Sequence, residues 1–160
     1  MNDERDAPPR LWALPSWLVS RVALSAGRIV TGRLAAAGVR RKHFSVLVAL
    51  DDSGPSSQAA LGRRLGLDRS DLHAVVADLE RDGLIDRERD PEDGRRNRVR
   101  LTAKGRTRLR RLDAQVEQAQ DDLLAPLTAA ERAELTRLLT RVVEHHAGTS
   151  AERAGWGRAE

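Results

Sequence analysis

The sequence predicts a mainly α-helical fold carrying one small β-hairpin. Three observations lead there. Apolar residues make up 40% of the 160 residues but aromatics only 2%, so a core must be assembled from Leu, Val and Ala, and Leu and Ala are strong helix formers. Apolar positions recur at spacings of three and four in six separate segments. Only one stretch, around Asp90-Pro91-Glu92-Asp93-Gly94, sets two short extended runs on either side of strong turn chemistry.

Taken in order, residues 1–15 are charged and proline-bearing and are expected to be disordered or extended. From Ser16 to about Ala37, Trp17, Leu18, Val22, Leu24, Ile29, Val30 and Leu34 follow helical spacing, and Gly38 is a plausible stop. A second helix is expected from Arg41 to Leu50, ended by Asp51-Asp52-Ser53-Gly54-Pro55. Ser57 reads as the N-cap of a short helix, Gln58 to Leu65. After Gly66-Leu67, Asp68 caps a helix to about Arg81, with Asp71 facing the positive end of its dipole. Gly83 ends it. Leu84–Arg89 and Asn97–Leu101 form the hairpin. Thr102 caps a long helix to about Leu124, Pro126 breaks it, and Thr128 with Glu131 opens a last helix that ends near His146. Residues 148–160 are expected to be a flexible tail.

Composition removes several function classes. The chain has no cysteine and its only methionine is Met1, so disulfides, thiolate catalysis and thiol sensing are excluded. No run of about 18 apolar residues is present, and Asp3, Glu4 and Asp6 are the wrong charge for a secretory signal. A cytoplasmic location without membrane contact is the expectation. The histidines His43, His73, His145 and His146 have no partner at catalytic or metal-binding spacing, and no glycine-rich phosphate loop occurs. The chain is therefore expected to be no enzyme, and to need no metal and no cofactor.

Charge is informative through its placement. The net charge is +4, but residues 95–111 hold nine Lys or Arg and no acid, while residues 112–160 hold five basic against nine acidic residues. A basic centre beside an acidic tail suits one surface for phosphate and another for something else.

The two short helices joined through Leu65-Gly66-Leu67, followed by the hairpin, have the layout of a winged helix-turn-helix. A major groove admits one α-helix, whose N-terminal part reaches base edges. On that helix Leu72, Val75, Val76 and Leu79 point inward, which leaves Arg69, Ser70, His73 and Ala77 outward. Arg69 can bond a guanine edge twice or clamp a phosphate; Ser70 and His73 can reach phosphate or base. Ser57 and Gln58 open the bracing helix beside it. Arg95, Arg96, Arg98 and Arg100 crowd the tip and second strand of the hairpin, a composition suited to the narrow, negative minor groove. Against this, Asp71 and Asp78 repel phosphate, and residues 58–100 carry ten basic and ten acidic residues. A winged-helix protein-interaction module without DNA binding is the alternative.

Three stretches carry a resemblance: Ser57 to Leu72, Leu79 to Arg87, and Asp90-Pro-Glu-Asp-Gly-Arg-Arg-Asn-Arg-Val-Arg-Leu-Thr-Ala-Lys-Gly105. Over about residues 16–147 the chain resembles the MarR family of transcription regulators. The resemblance implies a winged helix-turn-helix (41–101) flanked by dimerisation helices (16–40 and 102–147), a homodimer, a palindromic operator in double-stranded DNA, and repression relieved in many members by a small, often aromatic, ligand. It implies that Arg95 is the family's favoured wing arginine and Asp93 its support. Gly94 and Ala60 depart from residues common in the family, which bears on operator preference. A site for a small aromatic ligand, of unknown identity, is placed near Trp12, Trp17 and His43. Pairing the long apolar helices across a two-fold axis would set two recognition helices roughly 34–36 Å apart.

Overall fold

Two prolines set where the chain first becomes helical. A computed structural model describes residues 7–89 and 97–155, with side chains described through residue 147. Pro9 and Pro15 each stand in the first helical turn of their segment, where the missing N–H costs nothing. They start α1 (Pro9–Trp12) and α2 (Pro15–Ala36). The expected disordered or extended start at 1–15 is thus corrected over Pro9–Trp12, where the prolines read as breaking structure; the helix expected from Ser16 begins one residue earlier, at Pro15, which a first helical turn tolerates.

The remaining elements are α3 (Arg41–Ser53), α4 (Gln58–Leu65), α5 (Arg69–Arg81), β1 (Ile85–Arg89), β2 (Asn97–Leu101), α6 (Ala103–Leu123) and α7 (Ala129–Gly155). They fall into two units, Met1–Leu123 and Leu124–Glu160. In the first, an aliphatic core gathers Leu34 of α2, Val46, Leu47 and Leu50 of α3, Leu61 of α4, Val75, Val76 and Leu79 of α5, Ile85 of β1, Val99 of β2 and Leu112 of α6, all buried. No polar residue is counted among the buried residues described, so the core itself is wholly apolar.

The hairpin is antiparallel, with Ile85 opposite Leu101 and Arg87 opposite Val99. A third partner joins it. Ser56 and Val99 exchange both backbone hydrogen bonds, at 3.0 and 2.9 Å. This single residue ties the root of β2 to the segment that leads into α4, and nothing in the residue pattern announces it.

The start of α6 is locked by two residues. Thr102 Oγ1 accepts from the Gly105 N–H at 2.9 Å and donates to the Gly83 carbonyl at 2.8 Å. Gly105 is buried against the root of the hairpin: a Cβ there would sit 2.0 Å from the carbonyl oxygen of Leu84, just before β1, and 2.8 Å from a methyl of Leu101, the end of β2. The Leu-Thr-x-x-Gly run of the sequence is therefore a contact device as well as a cap.

Asp113 on α6 carries a raised pKa. Burial is the main cause, and the neighbouring acids Asp51, Glu117 and Asp52 add to it. A carboxyl whose folded pKa lies above its unfolded one opposes folding wherever both forms are ionised, and that penalty fades as pH falls through the raised value. Asp113→Asn should raise the melting temperature at neutral pH, with the gain disappearing in acid; an unchanged melting temperature at neutral pH would remove this account.

In the second unit, Thr128 and Glu131 form the expected capping box: the Thr128 N–H and hydroxyl donate to Glu131 Oε2 at 2.8 and 2.7 Å. Arg132 Nε donates to the carbonyls of Leu124 and Leu127 and closes the preceding turn. The helix runs to Gly155, past the expected end near His146 and into the tail expected at 148–160.

Candidate nucleic-acid interface

The turn between α4 and α5 is built from local chemistry. Gly66 closes α4 in the left-handed region, at φ 62°, which a side chain would resist. Its successor Leu67 returns a backbone bond to Gly62 at 3.0 Å. Ser57 Oγ caps α4 by accepting from the Ala60 N–H at 3.2 Å. Asp68 Oδ1 caps α5 by accepting from the Asp71 N–H at 2.7 Å, and Ser70 donates its hydroxyl to the same oxygen at 2.8 Å. Those bonds, the Asp71 N–H first, hold the Asp68 carboxyl below its ordinary pKa. Its support of α5 is therefore present above the usual 3.8 and is lost as pH falls through the depressed value.

The faces of α5 sort as the spacing predicts. Leu72, Val75, Val76 and Leu79 are buried; Arg69, Ser70, His73, Ala74 and Ala77 are exposed. Between α4 and α5 lies a groove of about 610 Å³, lined among others by Gln58, Gly62, Arg63, Leu67, Arg69 and His73. Arg69, His73 and Gln58 thus meet on one face, as does Arg63, which the sequence reading passed over. Arg63 stands opposite the apolar positions of α4, so its outward placement was legible. That it shares a groove with Arg69 depends on how the two helices cross. Ser57 and Ser70, next in sequence to Gln58 and Arg69, have hydroxyls already engaged, Ser57 as the cap of α4 and Ser70 on the Asp68 carboxylate.

The acids of α5 raised an objection, and the fold answers it. Asp71 is ion-paired with Lys42 of α3. Asp78 accepts from Arg81 at 2.6 Å and from His43 Nε2 of α3 at 3.2 Å, and these two bonds, Arg81 first, hold its carboxyl below the usual range. Two adjacent residues of α3 therefore tie both halves of α5, while Lys42 and Arg81 offset the charges of Asp71 and Asp78.

On the hairpin, Arg100 is committed to the acids of β1. It reaches Asp86 at 2.7 and 3.0 Å and Glu88 at 3.1 Å, which raises its pKa. Arg98 stands opposite Glu88 in the register. Asp93, Arg95 and Arg96 lie outside the described residues. Of the expected ligand-site residues, Trp12 and Trp17 pack with ring centroids 5.1 Å apart, and the Arg21 guanidinium lies 5.9 Å from the Trp17 ring centre. His43 instead faces Asp78, with its side chain 12% exposed and its Nδ1 buried without a hydrogen-bond partner among the described residues. Among those residues, no group of three or more His, Asp or Glu could hold a metal ion. Among the described residues, no single helix is long and apolar enough to cross a membrane.

A bracing helix, a tight left-handed turn, a second helix with a cationic outer face and a two-stranded hairpin define a winged helix-turn-helix DNA-binding protein. The MarR family profile matches residues 37–96. A helix-turn-helix-type transcriptional repressor of Mycobacterium tuberculosis is 30% identical over 126 residues, covering 79% of this chain and 91% of that protein. Among solved structures, the PcaV transcriptional regulator of Streptomyces coelicolor in complex with its natural ligand is similar, with a TM-score of 0.68 and 36% identity over 84% of this chain and 94% of that one. BpsR of Bordetella bronchiseptica, whose DNA binding is regulated by 6-hydroxynicotinic acid, superposes with a TM-score of 0.71 and 25% identity over 81% of this chain and 93% of that one. The chain belongs to the MarR family and is a DNA-binding transcriptional regulator.

Proposed function

We propose that the chain acts as a homodimeric repressor that lays the N-terminal part of α5 into successive major grooves of a palindromic operator and its arginine-rich hairpin into the flanking minor grooves. The observation that carries this reading is the shared face of Gln58, Arg63, Arg69 and His73, freed from competing acids by Lys42 and His43. Arg69 is the base-reading residue, Arg63 a phosphate contact, and Arg95 with Arg96 and Arg98 the minor-groove contact braced by Asp93. The chain works by binding, without catalysis and without a bound cofactor, in the cytoplasm.

Dimerisation is supported by apolar side chains that each unit leaves in solvent. On α2 these are Val19, Val22 and Leu24; on α7 they are Leu138, Leu139, Val142 and Val143. Burying such stripes against a second copy satisfies them and presents the recognition helix twice. A small-molecule effector is supported by the two similar regulators whose structures concern ligands, and the tilted pair Trp12 and Trp17 with Arg21 offers an aromatic and cationic surface for one.

Electrophoretic mobility shift with the DNA upstream of the chain's own coding region tests the reading. Retention should fall steeply as salt rises, because phosphate contacts release counterions; no retention at low salt would leave the interaction-module alternative standing. Within that assay, Arg69→Ala should cost about 1–3 kcal/mol on the preferred site and flatten the preference between sequences. Loss spread equally over all sequences would make Arg69 a phosphate clamp. Arg95→Ala should weaken binding while leaving the oligomer intact, and unchanged affinity would remove the hairpin from the contact.

A further inference from the structure

Among the described residues that line the groove between α4 and α5, His73 alone changes its charge near neutral pH. It is exposed, and its ring nitrogens have no hydrogen-bond partner among the described residues. Arg69 stands four residues before it, one helical turn away on the same side of α5, and Arg63 lines the same groove from α4. No acid among the described residues lines the groove. The acids of α5 and its cap are engaged elsewhere. Asp68 accepts from Ser70 and from the Asp71 N–H, Asp71 pairs with Lys42 of α3, and Asp78 pairs with Arg81 and His43. His43, the other histidine of this unit, is packed against Asp78 and does not line the groove. The groove thus supplies positive charge and no negative partner; the negative charge comes with the DNA.

We propose that His73 reads guanine as an imidazolium, so that DNA binding takes up a proton at each recognition helix and the base preferred opposite His73 changes with pH. This role rests on the DNA-binding reading of α5. An imidazolium offers two N–H donors and no acceptor, whereas a neutral ring keeps one acceptor nitrogen. In the major groove guanine presents only acceptors, N7 and O6, while adenine sets the N6 donor beside N7. The charged ring therefore matches guanine and leaves its second N–H for a backbone phosphate. Beside adenine it meets the N6 donor with a donor of its own. The neutral ring can meet either base. The negative potential of the DNA favours the charged ring on binding. Because the bound state holds the extra proton, affinity for the guanine site is highest in acid and falls as pH rises through the imidazole range. Arg69 and His73 are about 6 Å apart along the helix axis, so they reach base pairs about two steps apart.

Selection of random-sequence duplexes by the intact protein at constant ionic strength tests this, at about pH 6 and about pH 8, on either side of the ordinary imidazole value. One half-site position, near the one that Arg69→Ala relaxes, should favour guanine over adenine about tenfold at the lower pH, the worth of one hydrogen bond from a charged donor. Most of that preference should vanish at the higher pH. His73→Gln should prefer adenine there at both pH values, because its amide pairs with adenine N6 and N7. His73→Ala should show no preference there at either. Circular dichroism should be unchanged in both variants, because His73 is exposed. A guanine preference that does not change with pH, or one that survives in His73→Gln, overturns the proposal. So does a fall in affinity shared equally by all sequences with base choice unchanged. No sequence selected by the parent protein at either pH overturns the operator reading itself.

Discussion

A Gly105→Ala chain is expected to melt roughly 10 °C below its parent, from a loss of about 3 kcal/mol or more. The direction runs against helix propensity, which favours Ala over Gly by about 1 kcal/mol inside a helix. Space decides it. The added methyl would stand 2.0 Å from the Leu84 carbonyl oxygen and 2.8 Å from Leu101, and a backbone carbonyl has no rotamer by which to withdraw. Either α6 lifts from Leu84 and Leu101, breaking the Thr102 bonds to Gly83 and to its own first turn, or the hairpin root moves and takes Ile85 and Val99 with it. Both routes disturb a well-packed core, where strain is poorly absorbed. Gly62 is the internal control. A Cβ there meets Leu67 O at 3.2 Å and Leu72 at 3.6 Å, so Gly62→Ala should be far milder. Thermal or urea unfolding of the two variants gives the comparison, and equal melting temperatures would show that α6 sits more loosely than described.

The second large effect is expected from charge placed on α7. Leu138 and Val142 are 44% and 56% exposed and lie one turn apart. In a monomer, replacing both by Glu should be nearly neutral, because neither supports a core. In the proposed dimer the two carboxylates of each copy would have to enter an apolar contact and give up their hydration. The double variant Leu138→Glu, Val142→Glu should therefore sediment as a folded monomer. Each recognition helix would then act alone, and affinity for a two-half-site operator should fall by roughly 10²- to 10⁴-fold, the advantage that linked binding confers. Circular dichroism should stay unchanged, which separates loss of assembly from loss of fold. A double variant that remains dimeric would place the subunit contact elsewhere.

How much of this was legible in the chain differs from element to element. The inner and outer faces of α5 could be read directly, because Leu72, Val75, Val76 and Leu79 follow the helical period and the period is fixed by the backbone. The caps Ser57, Asp68, Thr102 and Thr128 were equally readable, since a cap bonds an N–H two or three residues away. The hairpin followed from its turn. Two stretches differ from expectation: Pro9 begins a short helix inside the stretch expected to be disordered or extended, and α7 continues to Gly155. In both places residue composition was weak and favoured no clear periodicity. The lone Ser56–Val99 bridge left no pattern at all, because a single residue has no period.

By itself, then, the sequence determined the helices, the hairpin between α5 and α6, the aliphatic core and the residues that cover the outer side of α5. Only the tertiary structure decided that Asp71 pairs with Lys42 and that His43 joins the local partner Arg81 on Asp78, contacts reaching 29 and 35 residues along the chain. It alone joined Arg63 to Arg69 in one groove and pressed Gly105 against the Leu84 carbonyl. The physical reason is the range of the interactions. Caps, turns and amphipathic faces act at fixed offsets along the backbone, so residue order encodes them. Ion pairs and close contacts between elements depend on where two helices cross, and the packed core sets that crossing.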